Sequence, residues 1–392
     1  MSPPNGGSKG WLLDPQVVQL NHGSFGATPR PVLDEQDRWR RLMEANPTGF
    51  VLESFEPALD EARGRLSALV GADPADLVFI TNATAGVNAV VRSLRFEPGD
   101  ELLTINHVYN ACRNALEYAA NRSGANVVIA DVPFPIESPD VVVDSLLAAL
   151  TERTRFVLID HVTSPTGLVL PVEDIVTAFE SRGVTVMVDG AHGPGMVPLD
   201  LDRLGASYYS GNCHKWLCAP KGSAFLWARS GLGDSLVPPV ISHGWNDRRT
   251  DRPRFHLLFD YMGADDPTAH LAVPAAIDFL SSLYPGGLAG TMDHNRRLAL
   301  EARDLLCEFI GIEPPAPDSM IGSLAAVPIP PSTEEMSGQV DPLGRRLLHD
   351  HGIQVPVFPW PQWPRRCLRI SAAPYNDLDQ YQTLIEALKA EL

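Results

Sequence analysis

The chain has 392 residues, 44% of them hydrophobic and 20% charged, the composition of a globular protein with room for a large core in two domains. A net charge of −17 argues against nucleic-acid phosphates and anionic membrane surfaces as partners and leaves small molecules as the better fit. The N-terminus lacks a basic region followed by an apolar stretch, and no run approaches the ~18 apolar residues of a membrane span, so the expected location is cytoplasmic.

Residues 1–20 read as a Pro/Gly-rich N-terminal segment. The strand-like run Leu77-Val78-Phe79-Ile80 then leads through Thr81-Asn82-Ala83-Thr84 into an apolar helix. N–H groups at a helix N-terminus and the helix dipole favour a phosphate, and the Thr84 hydroxyl adds a donor. An ordinary N-cap would use the same residue types.

Strands are expected at Glu101 to Ile105, Asn126 to Ala130, Arg155 to Asp160, Val184 to Val188 and Ala224 to Trp227, with helices such as Val141 to Leu150 and Val172 to Ser181 between many of them. Such alternation predicts an α/β fold with a mostly parallel sheet covered by helices. The punctuation Tyr284-Pro285-Gly286-Gly287 divides a large α/β domain over 21–284 from a smaller α+β domain over 285–392. The small domain is expected to hold a helix to about Ile310, strands at Leu324 to Val327, Gln354 to Val357 and Cys367 to Ile370, a helix near Leu343 to His349 and a final helix. Pro328 to Pro331 and Phe358 to Pro364 read as proline-rich surface turns.

Lysine occurs four times and arginine 27 times, so where charge alone is needed this chain uses arginine. Lys215, set in Asn212-Cys213-His214-Lys215-Trp216, is therefore conspicuous. Only lysine has an amine that loses its proton when desolvated and attacks a carbonyl. Upstream by 26 residues, the buried-strand pattern Val184 to Val188 ends in Asp189-Gly190-Ala191-His192. A carboxylate there points into the groove outside the strand ends, where open α/β sheets bind ligands. Pyridoxal phosphate needs both groups: an acid at its ring nitrogen and a lysine at its aldehyde carbon. Asp189 and Lys215 thus mark two ends of one cofactor site, with the Asn82, Ala83 and Thr84 turn for the phosphate. The five cysteines lack paired spacing and indicate neither a zinc site nor a disulfide framework.

Thr81 to Gly86, Asp189 to His192 and the His214-Lys215 pair resemble the class V aminotransferase family of fold-type I pyridoxal phosphate enzymes. The likeness runs from about Leu20 to about residue 388 and is closer to the isopenicillin N epimerase-like branch, which carries Leu20 to Gly26, His161 to Gly167 and Leu368-Arg369-Ile370-Ser371. The resemblance implies that His192 touches the cofactor's 3-oxygen or its link to lysine. It also implies that Asn212 and His214 help hold the phosphate and that Ser164 or Thr163 contacts the ring oxygen. Tyr109 or His107 would stack on the ring; the epimerase-like branch favours Tyr109, whose hydroxyl could also donate a proton. Arg369 would grip a substrate α-carboxylate through its planar fork, with Asn21, His22 and Gly23 lining the entrance. A homodimer with its active site at the interface is expected by the same likeness. Relatives carry Gly-Thr where this chain has Gly263-Ala264, and Ala264 cannot donate to the partner subunit's phosphate; His243 and Trp245 nearby are candidates to compensate.

Four reactions stay open: β-elimination from a cysteine conjugate, epimerisation, decarboxylation with oxidative deamination, and desulfuration of cysteine. The last needs a mobile sulfur-accepting cysteine, and none occurs between Cys307 and Cys367. Elimination makes the lightest demand, a single base at Lys215. The reading is therefore a carbon–sulfur lyase acting on an S-conjugated cysteine in small-molecule or antibiotic-type biosynthesis, with an epimerase as alternative. A non-catalytic cofactor-binding regulator would need an added interaction module, and the chain has no basic extension.

Overall fold

The computed structural model describes residues 10–336 and 341–392; the first nine residues of the N-terminal segment lie outside them. Twelve strands occur among the described residues: β1 Val18–Gln19, β2 Leu77–Ile80, β3 Glu101–Ile105, β4 Asn126–Ala130, β5 Thr154–Asp160, β6 Thr185–Gly190, β7 Tyr208–Asn212, β8 Ala224–Ala228, β9 Leu324–Ile329, β10 Ile353–Gln354, β11 Val357–Pro359 and β12 Arg366–Ser371.

Seven of them form one sheet in the order β2-β8-β7-β6-β5-β3-β4. From β7 to β4 every pairing is parallel, and only β8 runs antiparallel to its two neighbours. Strands β6 and β7 are buried almost throughout, as their continuous apolar or small residues require when helices cover both faces. The main core lies between the sheet and helices that include Phe55–Val70 and Val172–Glu180; a second cluster beneath the helices Ala83–Ser93 and Asn110–Ser123 covers the other face. The expected α/β architecture is the one observed.

Register decides the chemistry. Asp160 pairs with Asp189, and Asp189 with Ser210, so the carboxyl ends of β5, β6 and β7 lie level. Strand β7 does not stand out in the sequence, because Ser210, Gly211 and Asn212 dilute its apolar signal.

A three-stranded antiparallel sheet, β11-β12-β9, packs with the helices Gly287–Ile310 and Leu378–Glu391. Two of the proline-rich stretches read as turns are partly strand here: Pro328 lies in β9 and Pro359 in β11. Both strands are edges, where the side away from β12 leaves positions at which a residue without an N–H costs no ladder bond. The expected strand Gln354 to Val357 divides in two, β10 pairing with β1 and β11 with β12. No helix among the described residues is long and apolar enough to cross a membrane.

Candidate active site

Asp189, next to last in β6, lies inside the protein, 2% exposed. Its Oδ1 accepts the Ala191 N–H at 3.0 Å and its Oδ2 the Cys112 thiol at 3.0 Å. Burial pushes the carboxyl up, while the bonds from Cys112 and Ala191 and the charge of Lys215 pull it back. Asp160 stands beside it on β5, pushed well up by burial and by Asp189; its Oδ2 has no partner among the described residues.

Lys215 leaves β7 three residues after its end, and its Nζ lies 3.1 Å from His192 Nε2. Burial first, then Arg369, pushes the amine down to about 8, against the pull of Asp189. His192 Nδ1 accepts the Trp216 indole N–H at 3.1 Å, and burial with the surrounding cations lowers this imidazole far below its ordinary value.

Facing them is the N-terminus of the helix Ala83–Ser93. The Asn82 side chain caps the Ala85 N–H at 2.9 Å, and Asn212 Oδ1 accepts the Ala83 N–H at 2.8 Å across from β7. Gly86 lets the helix come close: a Cβ there would stand 2.2 Å from Ser210 Oγ. His214 donates from Nδ1 to the Ser223 carbonyl at 2.9 Å, and burial pushes it down to about 4, so its other nitrogen is an acceptor.

One cavity of about 490 Å³ joins these parts. Asp189, His192 and Lys215 line it with Asn82, Thr84, Asn212 and His214; Tyr109 and Ser164 complete the predicted set there. Tyr109 is 44% exposed. His107 is placed elsewhere: fully buried, it bonds Thr166 Oγ1 at 2.7 Å and the Val132 carbonyl at 2.9 Å and packs on Trp360.

The Asn21-His22-Gly23 turn braces both cations. His22 holds the Lys215 carbonyl at 3.0 Å and the Tyr375 hydroxyl at 3.0 Å, and the Gly23 N–H donates to Ser371 Oγ at 3.1 Å. Asn21 Oδ1 and Ser24 Oγ accept from Arg369 Nη2 at 3.3 and 3.1 Å. Arg369 Nη1 bonds the Ser164 carbonyl and, at 3.3 Å, its hydroxyl. Its Nε has no partner among the described residues, its guanidinium lies 5.0 Å over the Phe358 ring, and burial pushes it down to about 10.

Ala264 lies outside this cavity. It lines a larger, more apolar one of about 530 Å³ that shares Thr81 with the first; His243 lines a smaller neighbouring cavity, and Trp245 is 49% exposed. Cys112, Asp160, Ser24 and Trp216 were not singled out from sequence. Asp160 had a readable signal, an apolar strand ending in a carboxylate like that of Asp189; Cys112 and Trp216 acquire their contacts only when their elements dock.

The residues fit pyridoxal phosphate. A carboxylate that has accepted only two bonds, a partly deprotonated amine and a capped helix N-terminus share one cavity, as the ring nitrogen, aldehyde and phosphate require. Comparison with known proteins agrees: residues 26–313 match the family model described as Aminotransferase class-V. The chain is 38% identical to isopenicillin N epimerase of Amycolatopsis lactamdurans, covering 96% of each chain. It is 32% identical to putative L-cysteine desulfhydrase 1 of Oryza sativa subsp. japonica, over 87% of this chain and 73% of that one. Among solved structures, cysteine desulfurase CsdA from Escherichia coli superposes with a TM-score of 0.77 at 22% identity, covering 97% and 96% of the two chains. A C-DES variant with glycine covalently linked to the PLP cofactor gives 0.75 at 20% identity, covering 95% and 96%.

Proposed function

The chain belongs to the class V aminotransferase family, and from that premise we propose that it uses pyridoxal phosphate to break the β-carbon–sulfur bond of an S-conjugated L-cysteine. The observation that carries an amino-acid substrate is Arg369. This guanidinium is 1% exposed, its partners are neutral oxygens, and among the described residues it makes no ion pair. A buried cation without a counter-charge is costly, and an α-carboxylate satisfies it through two parallel hydrogen bonds.

Pyridoxal phosphate supplies an electron sink that weakens the bonds at the substrate's α-carbon. Asp189 would hold its ring nitrogen and Lys215 its aldehyde carbon, while Asn82, the first turn of the helix Ala83–Ser93, Asn212 and, once the phosphate's charge returns a proton to its free nitrogen, His214 would hold its phosphate. Ser164 and His192 are the polar groups for the ring oxygen, and Tyr109 is the flat side chain in the cavity. Lys215 Nζ, near pH 8 in its titration, is suited to take the α-proton at neutral pH. Elimination asks for that base and a leaving thiolate and nothing more.

A second reading, epimerisation, is favoured by Tyr109. Burial, Cys112 and Asp189 all push its phenol up, so it stays protonated and is a candidate second proton donor. The proposal also includes a homodimer in which Ala264, His243 and Trp245 approach the partner subunit's site.

The test is holoprotein incubated with an S-substituted L-cysteine. Equal yields of 2-oxo acid, ammonia and thiol are expected; racemisation without thiol release would replace the lyase with the epimerase. Tyr109→Phe should leave elimination within a few-fold and would abolish racemisation. Arg369→Leu is expected to raise KM roughly 100-fold, the loss of two charge-assisted hydrogen bonds, with the cofactor absorbance kept. An unchanged KM would remove the carboxylate role.

A further inference from the structure

His192 sits between two consecutive side chains. Lys215 Nζ meets its Nε2 at 3.1 Å and Trp216 Nε1 meets its Nδ1 at 3.1 Å. An indole nitrogen only donates, so Nδ1 must present a lone pair, and a neutral imidazole then carries its hydrogen on Nε2. Trp216 is 2% exposed and packed among Val162, Met196 and Leu324, which leaves the indole no room to turn away.

The hydrogen on Nε2 faces the lysine. An ammonium offers only N–H groups, and two donors 3.1 Å apart repel; a neutral amine offers a lone pair and accepts. We propose that Trp216 is a positioning residue that fixes the hydrogen of His192 on Nε2 and through it holds Lys215 as the free amine. The inference rests on the reading of Lys215 as the cofactor-bearing amine.

The surroundings pull on Lys215 in both directions. Burial and then Arg369 favour the neutral amine, Asp189, Cys112 and Asp160 act to keep it protonated, and the His192 Nε2 hydrogen adds to the first side. Burial, and after it the neighbouring Lys215, Arg369, His22 and His214, oppose a second proton on the imidazole of His192. Without the indole, the imidazole is free to move its hydrogen to Nδ1 and accept from a lysine ammonium, which would then be stabilised.

The amine matters when apoprotein takes up its cofactor. The Nζ lone pair would add to the aldehyde carbon of pyridoxal phosphate, and the aldehyde oxygen would leave as water with the two amine hydrogens. Trp216→Phe keeps an aromatic ring and removes the donor. The pH midpoint of the capture rate is expected to rise by about one unit, a ~10-fold slower capture on the acid side.

The decisive measurement on wild-type apoprotein is the two-bond proton–nitrogen correlation spectrum of ¹⁵N-histidine, with His192 assigned by loss of its signals in His192→Gln. A protonated Nε2 and a bare Nδ1 are expected; hydrogen on Nδ1 would overturn the proposal without Trp216→Phe having to fold. An unmoved capture midpoint in a folded Trp216→Phe protein would overturn it too. Apoprotein that captures no pyridoxal phosphate at any pH would instead overturn the Lys215 reading, while the wild-type spectrum still decides the tautomer.

Discussion

Lys215 and Arg369 are both cations held below their ordinary pKa by burial, and each carries a cost to the folded chain. For Lys215 the sign follows from linkage. The folded amine titrates near 8 and the unfolded one near 10.5, so between those values the unfolded chain binds more protons. The penalty is whole below about pH 8 and fades as pH rises to 10.5; a drop of this size is on the order of 3 kcal/mol. Lys215→Met apoprotein is therefore expected to resist urea better than wild type at pH 7, by up to ~3 kcal/mol, with the advantage shrinking by pH 10.5. Urea midpoints at the two pH values measure this. Equal midpoints at pH 7 would mean that the lysine is not strained in the folded apoprotein.

The strand ends and one helix start hold most of the chemistry, and the sequence was legible there to different depths. Asp189 and Lys215 stood out because an apolar run ending in a carboxylate, and a rare lysine among apolar residues, have few other uses. The Asn82 cap was readable as a helix start, since its side chain and the dipole act locally. Its bridge to β7 was not, because Asn212 reaches Ala83 only once β7 lies two strands from β2. Gly86 is the residue on which that bridge depends. Gly86→Ala would drive a methyl into Ser210 Oγ and to within 2.8 Å of Ile80 Cδ1, lifting the helix N-terminus from the sheet. Pyridoxal phosphate titrated into the variant apoprotein and followed by fluorescence should bind at least ~10-fold more weakly, about 1.4 kcal/mol. The Ala83–Asn212 bond is part of the same cradle, and an unchanged affinity would remove the helix N-terminus from the phosphate role.

The shape of the surface carries the remaining argument. Val51 and Val240 line the larger cavity and are 42% and 54% exposed; their neighbours Leu52 and Ile241 are 76% and 57% exposed. Trp245 and Phe25 are also exposed, at 49% and 74%, and Phe25 lines the Lys215 cavity itself. Sequence patterning could not show that Val51 and Val240 line one cavity, because they come from segments nearly 190 residues apart. Clusters of large apolar side chains left in water mark an interaction surface. If the homodimer reading is right, a second copy covers them and closes the mouth of the cofactor cavity. Light scattering after size exclusion should then give twice the chain mass, and the pair Leu52→Glu and Ile241→Glu should give a monomer. Because neither side chain lines the Lys215 cavity, the monomer's cofactor affinity reports on the closure alone. A fall of about 10-fold or more is expected if the partner contributes to the site, whereas a dissociated variant that binds pyridoxal phosphate like wild type would place the whole cofactor site within one chain.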